Sequence, residues 1–485
     1  MDDLPPSLVL EILNRLADSA DLARCRVASK SLNFLSREVR SVNLFCSLDR
    51  YLKSRAVETR LLVMPFKVIL KSLMNDFVAL DSVSIGVEKS LGRISYEHDD
   101  VEDWSDDLFL TDVGFAREWL PAIGRGLTSL SIVDFWVQSC WRQSKILALI
   151  TLCCGNLQEL ELKNAWLSVD GLNRLNSLKC LTLEFIRLDD EDLSEVNYNF
   201  PHLEILNLIG VGGLNEPKIH LSHLKTCRWT VSNAPVSLSI CAPSLSKLEL
   251  KCVKPKSLII QTPLLSDFHF CLQDASGLQV NEFPCLRKLQ LHFPCLYSLI
   301  TTFSSARTIK ELTLNTMQRA ESVESVKLCL DTLFAIFPNL SFLKLGPGVF
   351  SEAETCYQAE GLDGRIGMRD LKRLHASLET YKIELKLPFI IPILEKCTDS
   401  LDMELLIYHN ADSHLAGGIM SKRAIFARSL LLILGSRKTV VAAAAAEQFE
   451  KRSSHFARVS GCCELHPFDQ SGAAVEGRDR SNQMG

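Results

Sequence analysis

From about residue 127 one apolar pattern recurs along the chain: an apolar residue, two others, an apolar residue, one other, and a third apolar residue. It stands at Leu127/Leu130/Ile132, Leu157/Leu160/Leu162, Leu178/Leu181/Leu183 and Leu203/Leu206/Leu208. It continues at Leu224/Cys227/Trp229, Leu245/Leu248/Leu250, Leu265/Phe268/Phe270, Leu286/Leu289/Leu291, Ile309/Leu312/Leu314 and Leu340/Leu343/Leu345. A weaker copy is Leu80/Val83/Ile85. The last two apolar positions are one residue apart, so both point to the same side of a short strand. Between Leu160 and Leu312 the central position advances by 20 to 25 residues. That period suits one strand and one return segment per unit, stacked into a curved parallel sheet.

The first forty residues follow a different rhythm. Val9, Ile12, Leu13 and Leu16 are spaced i, i+3, i+4, i+7 behind Pro5 and Pro6, which predicts an amphipathic helix with proline in its first turn. Ser19 is the expected N-cap of a second helix carrying Leu22, Cys25 and Val27, and Ser29 that of a third carrying Leu32, Leu35 and Val39. Three short helices bury too little apolar surface to stand alone. They call for a partner, or they cap the larger array.

Composition narrows the possibilities. Of 485 residues, 47% are hydrophobic and 23% charged, as in an ordinary globular protein, and a net charge of -5 argues against general nucleic-acid binding. The longest late apolar run, Leu430–Leu434, is too short to span a bilayer, and the N-terminus lacks a basic region followed by an apolar run. The 17 cysteines are scattered and odd in number, so buried thiols in the reducing cytoplasm or nucleus are expected. The pairs Cys153/Cys154 and Cys462/Cys463 lack the second pair that a zinc site needs, and no metal or cofactor is expected. The acidic run Glu97–Asp107 has no turn glycine for a calcium loop and reads as an exposed insertion. After residue 410 the pattern stops. Ala442–Ala446 and a Ser/Gly/Arg-rich end suggest a low-order tail over 411–485.

Leu4-Pro5, Ile12-Leu13, Leu16, Asp21-Leu22, Arg26-Val27 and Ser29-Lys30 resemble the F-box as plants carry it. The recurring apolar unit resembles the leucine-rich repeat, and residues 1–410 together resemble plant F-box/leucine-rich-repeat proteins. Two departures stand out. Leu32 occupies a place that is often aromatic in an F-box. The repeats lack Asn or Cys three places after the last strand leucine, where Ala165, Val211 and Val253 stand, while Asn164 and Cys252 fall one place early. The resemblance implies an α/β solenoid, a curved parallel sheet over 127–410, preceded by a small all-α F-box over 1–45 and a connecting region over 46–126 with irregular first repeats and an acidic loop. It also implies a non-catalytic substrate receptor of an SCF-type cullin-RING ubiquitin ligase. Leu4, Pro5, Ile12, Leu13, Leu16, Leu22 and Val27 would face or support a Skp-type adaptor, and through it the cullin. The alternative is a non-ligase scaffold whose N-terminal helices only cap the solenoid.

Residues between the strand leucines should line the concave face and meet a protein target. The candidates are Glu159, Glu161, Lys163, Thr182, Glu184, Arg228, Lys247, Lys251, His269 and His292. Their signs are mixed, so charge names no partner. Trp136, Trp141, Trp166 and Trp229 are expected to pack between coils. An enzyme finds no support: there is no phosphate-cradling glycine loop, metal cluster or nucleophile elbow, and Gly210–Gly213 has the wrong spacing.

Overall fold

A computed structural model of the chain describes residues 4–55, 64–96, 107–230, 235–252, 255–272, 282–293, 300–316, 328–362, 368–378, 386–397, 401–408 and 439–445. The repeats form one continuous parallel sheet, the strand of each repeat paired with that of the next repeat. Leu160 of Glu159–Leu167 aligns with Leu181 of Cys180–Arg187, and Leu181 with Leu206 of Ile205–Ile209. Cys227, Leu248, Phe268, Leu289, Leu312 and Leu343 continue the same row. All of these side chains are buried, which is the single inward face that the spacing predicts.

The sheet starts earlier than residue 127. Ser41–Cys46 pairs with Ser82–Val87, and that strand with Ser129–Asp134. Leu80/Val83/Ile85 is therefore a full repeat, and Val39/Val42/Leu44 is the first one. A long stretch separates these copies from one another, which hides their period. The irregular first repeats expected within 46–126 thus belong to the sheet, which begins at Ser41, so the helical module ends before residue 41 rather than at 45. At the other end, Thr439–Ala445 pairs in parallel with Asp402–Tyr408. This segment departs from the tail expected over 411–485. Val440 and Val441 favour an extended chain, and the preceding strand offers open backbone groups. The remainder of 409–485 lies outside the described residues, as do residues 97–106 of the acidic run. Asp107 is described: its carboxylate accepts the Phe66 and Lys67 N–H groups at 2.7 and 3.0 Å and holds the start of the Phe66–Asn75 helix.

Return segments vary with repeat length. The short repeats in the middle return through strands, Lys218–His220, Ser237–Cys241 and Ser257–Gln261, which form their own parallel sheet. The longer repeats carry helices such as Ile146–Cys153, Leu330–Ile336 and Pro347–Glu360. Asp190–Asn199 begins with a reciprocal capping box between Asp189 and Asp192.

The displaced asparagine also finds its explanation. Asn164, Phe185 and Gly210 follow the aligned residues Lys163, Glu184 and Ile209, and have φ of 61°, 54° and 62°. A left-handed kink thus runs in register across three repeats. Asn164 tolerates that conformation and donates its amide to the Asp134 carbonyl at 2.6 Å, satisfying the turn of the preceding repeat. Gly210 leaves room for the Phe185 ring, which would lie 2.8 Å from a Cβ there.

Candidate functional site

Two surfaces stand out, the outer side of the N-terminal helices and the polar side of the sheet. Helix α1 (Pro6–Asn14) starts at Pro5 and has Pro6 at its first position. It buries Val9 and Leu13. Leu4, Leu8 and Ile12, four residues apart, are exposed by 41, 52 and 44%. Helix α2 (Ser19–Ala28) is capped by Asp18, not by Ser19: the Asp18 side chain accepts the Ala20 N–H at 2.9 Å. Ser19 is buried instead, and its hydroxyl accepts the Asn43 N–H of the first strand at 2.9 Å. Leu22 is buried, whereas Val27 is 91% exposed. Helix α3 (Lys30–Leu35) follows Ser29 and presents Phe34 at 68% exposure. Leu32 packs half-buried against the core, so the aromatic residue of this helix lies two places further on and points outward.

Of the seven residues read as adaptor-facing or adaptor-supporting, Leu4, Pro5, Ile12 and Val27 are exposed, Leu16 is half-buried, and Leu13 and Leu22 are interior. Leu8 and Phe34 join the exposed set. The four-residue spacing of Leu4, Leu8 and Ile12 was the available signal for Leu8.

The interior residues tie the helices to the sheet. Val9, Leu13 and Leu22 belong to the same buried cluster as Val39, Val42 and Leu44. Asn43 Nδ2 donates to the Ala17 carbonyl at 2.6 Å, and Arg50 pairs with Asp18. Arg26 donates to Ser36 Oγ at 2.8 Å and to Asp76 at 3.0 Å, and lies over the Phe77 ring at 4.9 Å.

On the sheet, alternate side chains form rows running across the repeats. The middle row passes from Ser131 through Glu161, Thr182, Asn207, Arg228, Glu249 and His269 to Gln290. Most of these residues are paired within the row or with its neighbour. Ser131 donates to Glu161 at 2.6 Å, and Asn207 donates to Thr182 at 3.0 Å. Lys163 lies 3.0 Å from both Glu161 and Glu184. Burial opposes the Lys163 charge, but the bonds to those two carboxylates prevail and raise its pKa above the ordinary value. Glu249 gathers Lys251 at 2.6 Å, Arg228 at 3.3 Å and His269 at 3.8 Å. Burial works to raise the Glu249 pKa, yet Lys251 and Arg228 outweigh it and hold the carboxyl below its usual range. Among the residues expected to line this face, Glu159, Arg228 and Lys247 are exposed, while Glu161, Lys163, Thr182, Glu184, Lys251, His269 and His292 are half-buried by one another.

His269 and His292 stand with ring centroids 5.1 Å apart, and Asn315 Nδ2 is 2.8 Å from His292 Nε2. Burial lowers both histidines to about 4, with Lys251 next in effect on His269, and His269 next on His292. The fold therefore favours the neutral rings. Their contribution is present above the unfolded value of 6.5 and is lost as pH falls toward 4. Buried Asp134, raised to about 6 by burial and held by Thr111, acts with the opposite sign. A comparison with the His269→Gln/His292→Gln variant isolates the histidines. Between pH 7 and 5 the wild type should lose roughly 4 kcal/mol more stability than the variant in urea unfolding, about 2 kcal/mol from each ring. Equal losses would show that the rings titrate normally.

The polar face extends past the residues assigned to it from sequence. Phe342, His375 and Glu404 continue the face: the Phe342 and His375 rings are 4.8 Å apart, and His375 Nδ1 is 3.3 Å from Glu404. The pattern Leu371/Leu374/Ala376 carried that signal, weakened by alanine. The tryptophans divide. Trp136 and Trp229 are buried between coils, Trp166 stacks under Arg187 at 4.5 Å, and Trp141 is largely exposed.

An F-box/LRR-repeat protein of Arabidopsis thaliana is 48% identical to this chain over 425 residues, which are 87% of this chain and 94% of that protein. The chain belongs to the F-box/LRR-repeat family. No family model matches it. The helices α1–α3 are accordingly the F-box, and the parallel sheet with its returns is the leucine-rich-repeat solenoid. In this F-box/LRR protein the two parts share one core. No helix among the described residues is long and apolar enough to cross a membrane.

Proposed function

We propose that this F-box/LRR protein is the substrate-receptor subunit of an SCF-type cullin-RING ubiquitin ligase, acting in the cytoplasm or nucleus. The F-box docks on a Skp-type adaptor, and through it on the cullin, while the polar face of the repeats holds a target protein. The receptor makes no bond itself. It raises the local concentration of a target lysine near a charged ubiquitin-conjugating enzyme.

The observation that carries this reading is the set of large apolar side chains left exposed on so small a module: Leu4, Leu8, Ile12, Val27 and Phe34. Exposed apolar surface of this kind, rimmed by charged residues such as Glu11 and Arg15, suits a helical partner. The paired charges of the repeat face suit a protein partner read by shape and hydrogen bonding rather than a polyanion.

The test is co-expression of the full chain with a plant Skp-type adaptor, followed by size exclusion with light scattering. A one-to-one complex is expected. Ile12→Ala with Phe34→Ala should weaken it roughly a thousandfold, since each buried interface anchor contributes about 2 kcal/mol and about 1.4 kcal/mol is a factor of ten. Both residues are exposed in the free chain, so its unfolding curve should not move. A folded monomer that ignores the adaptor would favour the scaffold reading, to which the shared core of helices and first repeat already lends weight.

A further inference from the structure

Cys329 is the residue before the Leu330–Ile336 helix, and Cys356 and Glu360 lie one turn apart on Pro347–Glu360. The spacing i, i+4 puts the last two on one helix face. The three side chains converge. Cys329 Sγ is 2.7 Å from Cys356 Sγ, and Glu360 Oε2 is 3.8 Å from the first sulfur and 3.9 Å from the second. Cys356 is buried, Cys329 half-buried and Glu360 exposed, so the triangle is closed on the protein side and open to water on the other. Among the described residues this is the one group of three His, Cys, Asp or Glu side chains whose ligand atoms all lie within 4.8 Å.

The dimensions can be compared with a metal centre. A tetrahedral zinc ion holds sulfur at about 2.3 Å and carboxylate oxygen at about 2.0–2.2 Å, which puts sulfur and oxygen about 3.5 Å apart and two sulfurs about 3.8 Å apart. Both sulfur–oxygen edges are already within a few tenths of an ångström of that figure. The sulfur–sulfur edge has to open by about 1 Å, the direction in which two thiolates repel.

We propose that Cys329, Cys356 and Glu360 bind one divalent cation of the zinc class, with water as the fourth ligand. Binding exchanges protons for the ion: two thiols and one metal ion give two metal–thiolate bonds and two released protons, with no change of oxidation state. Burial, and then the neighbouring Cys329, push the Cys356 thiol up to about 12, so without metal it is protonated at neutral pH. The ion would pin the start of the return helix before strand Phe342–Leu345 to the end of the return helix after it.

The experiment is a titration of the reduced full-length chain with cobalt(II) under anaerobic conditions, followed by zinc. Expected are a thiolate-to-cobalt charge-transfer band that saturates at one equivalent, its loss on adding zinc, and release of two protons per ion. Cys329→Ser and Cys356→Ser should abolish the saturable band. Glu360→Gln, at an exposed position that does not threaten folding, should weaken cobalt binding at least about tenfold, because even residues that only support a ligand cost that much. A band unchanged by all three substitutions would assign it to other cysteines and overturn the proposal. So would the absence of a saturable band, or a Cys329–Cys356 disulfide found by peptide mapping of protein kept in reductant.

Discussion

Deleting residues 1–35 is expected to unfold the first repeats, not to release an intact solenoid. Val9, Leu13 and Leu22 are interior residues of the same cluster as Val39, Val42, Leu44, Leu70 and Met74. Burying each such side chain stabilises by about 1.5–3 kcal/mol, so losing three of them costs on the order of 6 kcal/mol before any polar contact is counted. The deletion also strips Ser19 and Ala17 from Asn43, and it uncovers the first strand of a sheet whose repeats are stabilised mainly by their neighbours. Hydrogen exchange should show Ser41–Cys46 and Ser82–Val87 losing protection, and the thermal transition should broaden. A truncated chain that melts as the full chain does would refute the shared core. A docking module read from sequence alone suggests the reverse, a removable part. The difference arises because Ser19, Leu13 and Leu22 face the first repeat, which no pattern within the first forty residues discloses.

The second large effect is expected at Phe268. Its ring stacks on Phe270 at 4.9 Å and meets Phe283 and Phe303 at 5.8 and 6.1 Å, all four being buried. Phe268→Ala should cost about 3–5 kcal/mol, the usual range for a buried aromatic replaced by alanine. In a linear array the loss falls on the adjoining repeats first. Urea unfolding should therefore become biphasic, with exchange protection falling around Leu248, Leu289 and Leu312 and holding at the F-box. Adaptor binding should survive. A single transition that shifts as a whole would mean that the array folds as one cooperative block.

Much of the solenoid was legible because its signal is local. Leu160, Leu181, Leu206, Leu248 and Leu289 repeat within a narrow period, and each strand leucine falls on the buried face as the alternation requires. The first repeats were harder to read. Val39, Val42 and Leu44 carry the same pattern, but valine is common in any strand and the next copy is far away. The returns were not legible, since the choice between helix and strand follows from the length left over in each repeat and from neighbours far off in sequence. On the repeat face, Glu161, Lys163 and Glu249 could be placed by alternation. Their pairing could not, because it depends on the register between strands. Cys329, Cys356 and Glu360 show the same limit: the last two share a readable spacing, while the first comes from another element.

Feature by feature, the junction at Ser36–Val39 has the furthest reach. A short 3-10 turn over Ser36–Glu38 leads within two residues into the first strand, and Arg26 of the second helix donates to the hydroxyl of Ser36 in that turn. Such a joint is a bracket rather than a hinge. Under the proposed receptor function, this joint leaves little compliance between the two ends, so a bound target would be presented at a set angle and a set reach. Selection among that target's lysines would then be a question of geometry: those inside the arc swept by the proposed ligase would be modified, and those outside it spared however well the target binds.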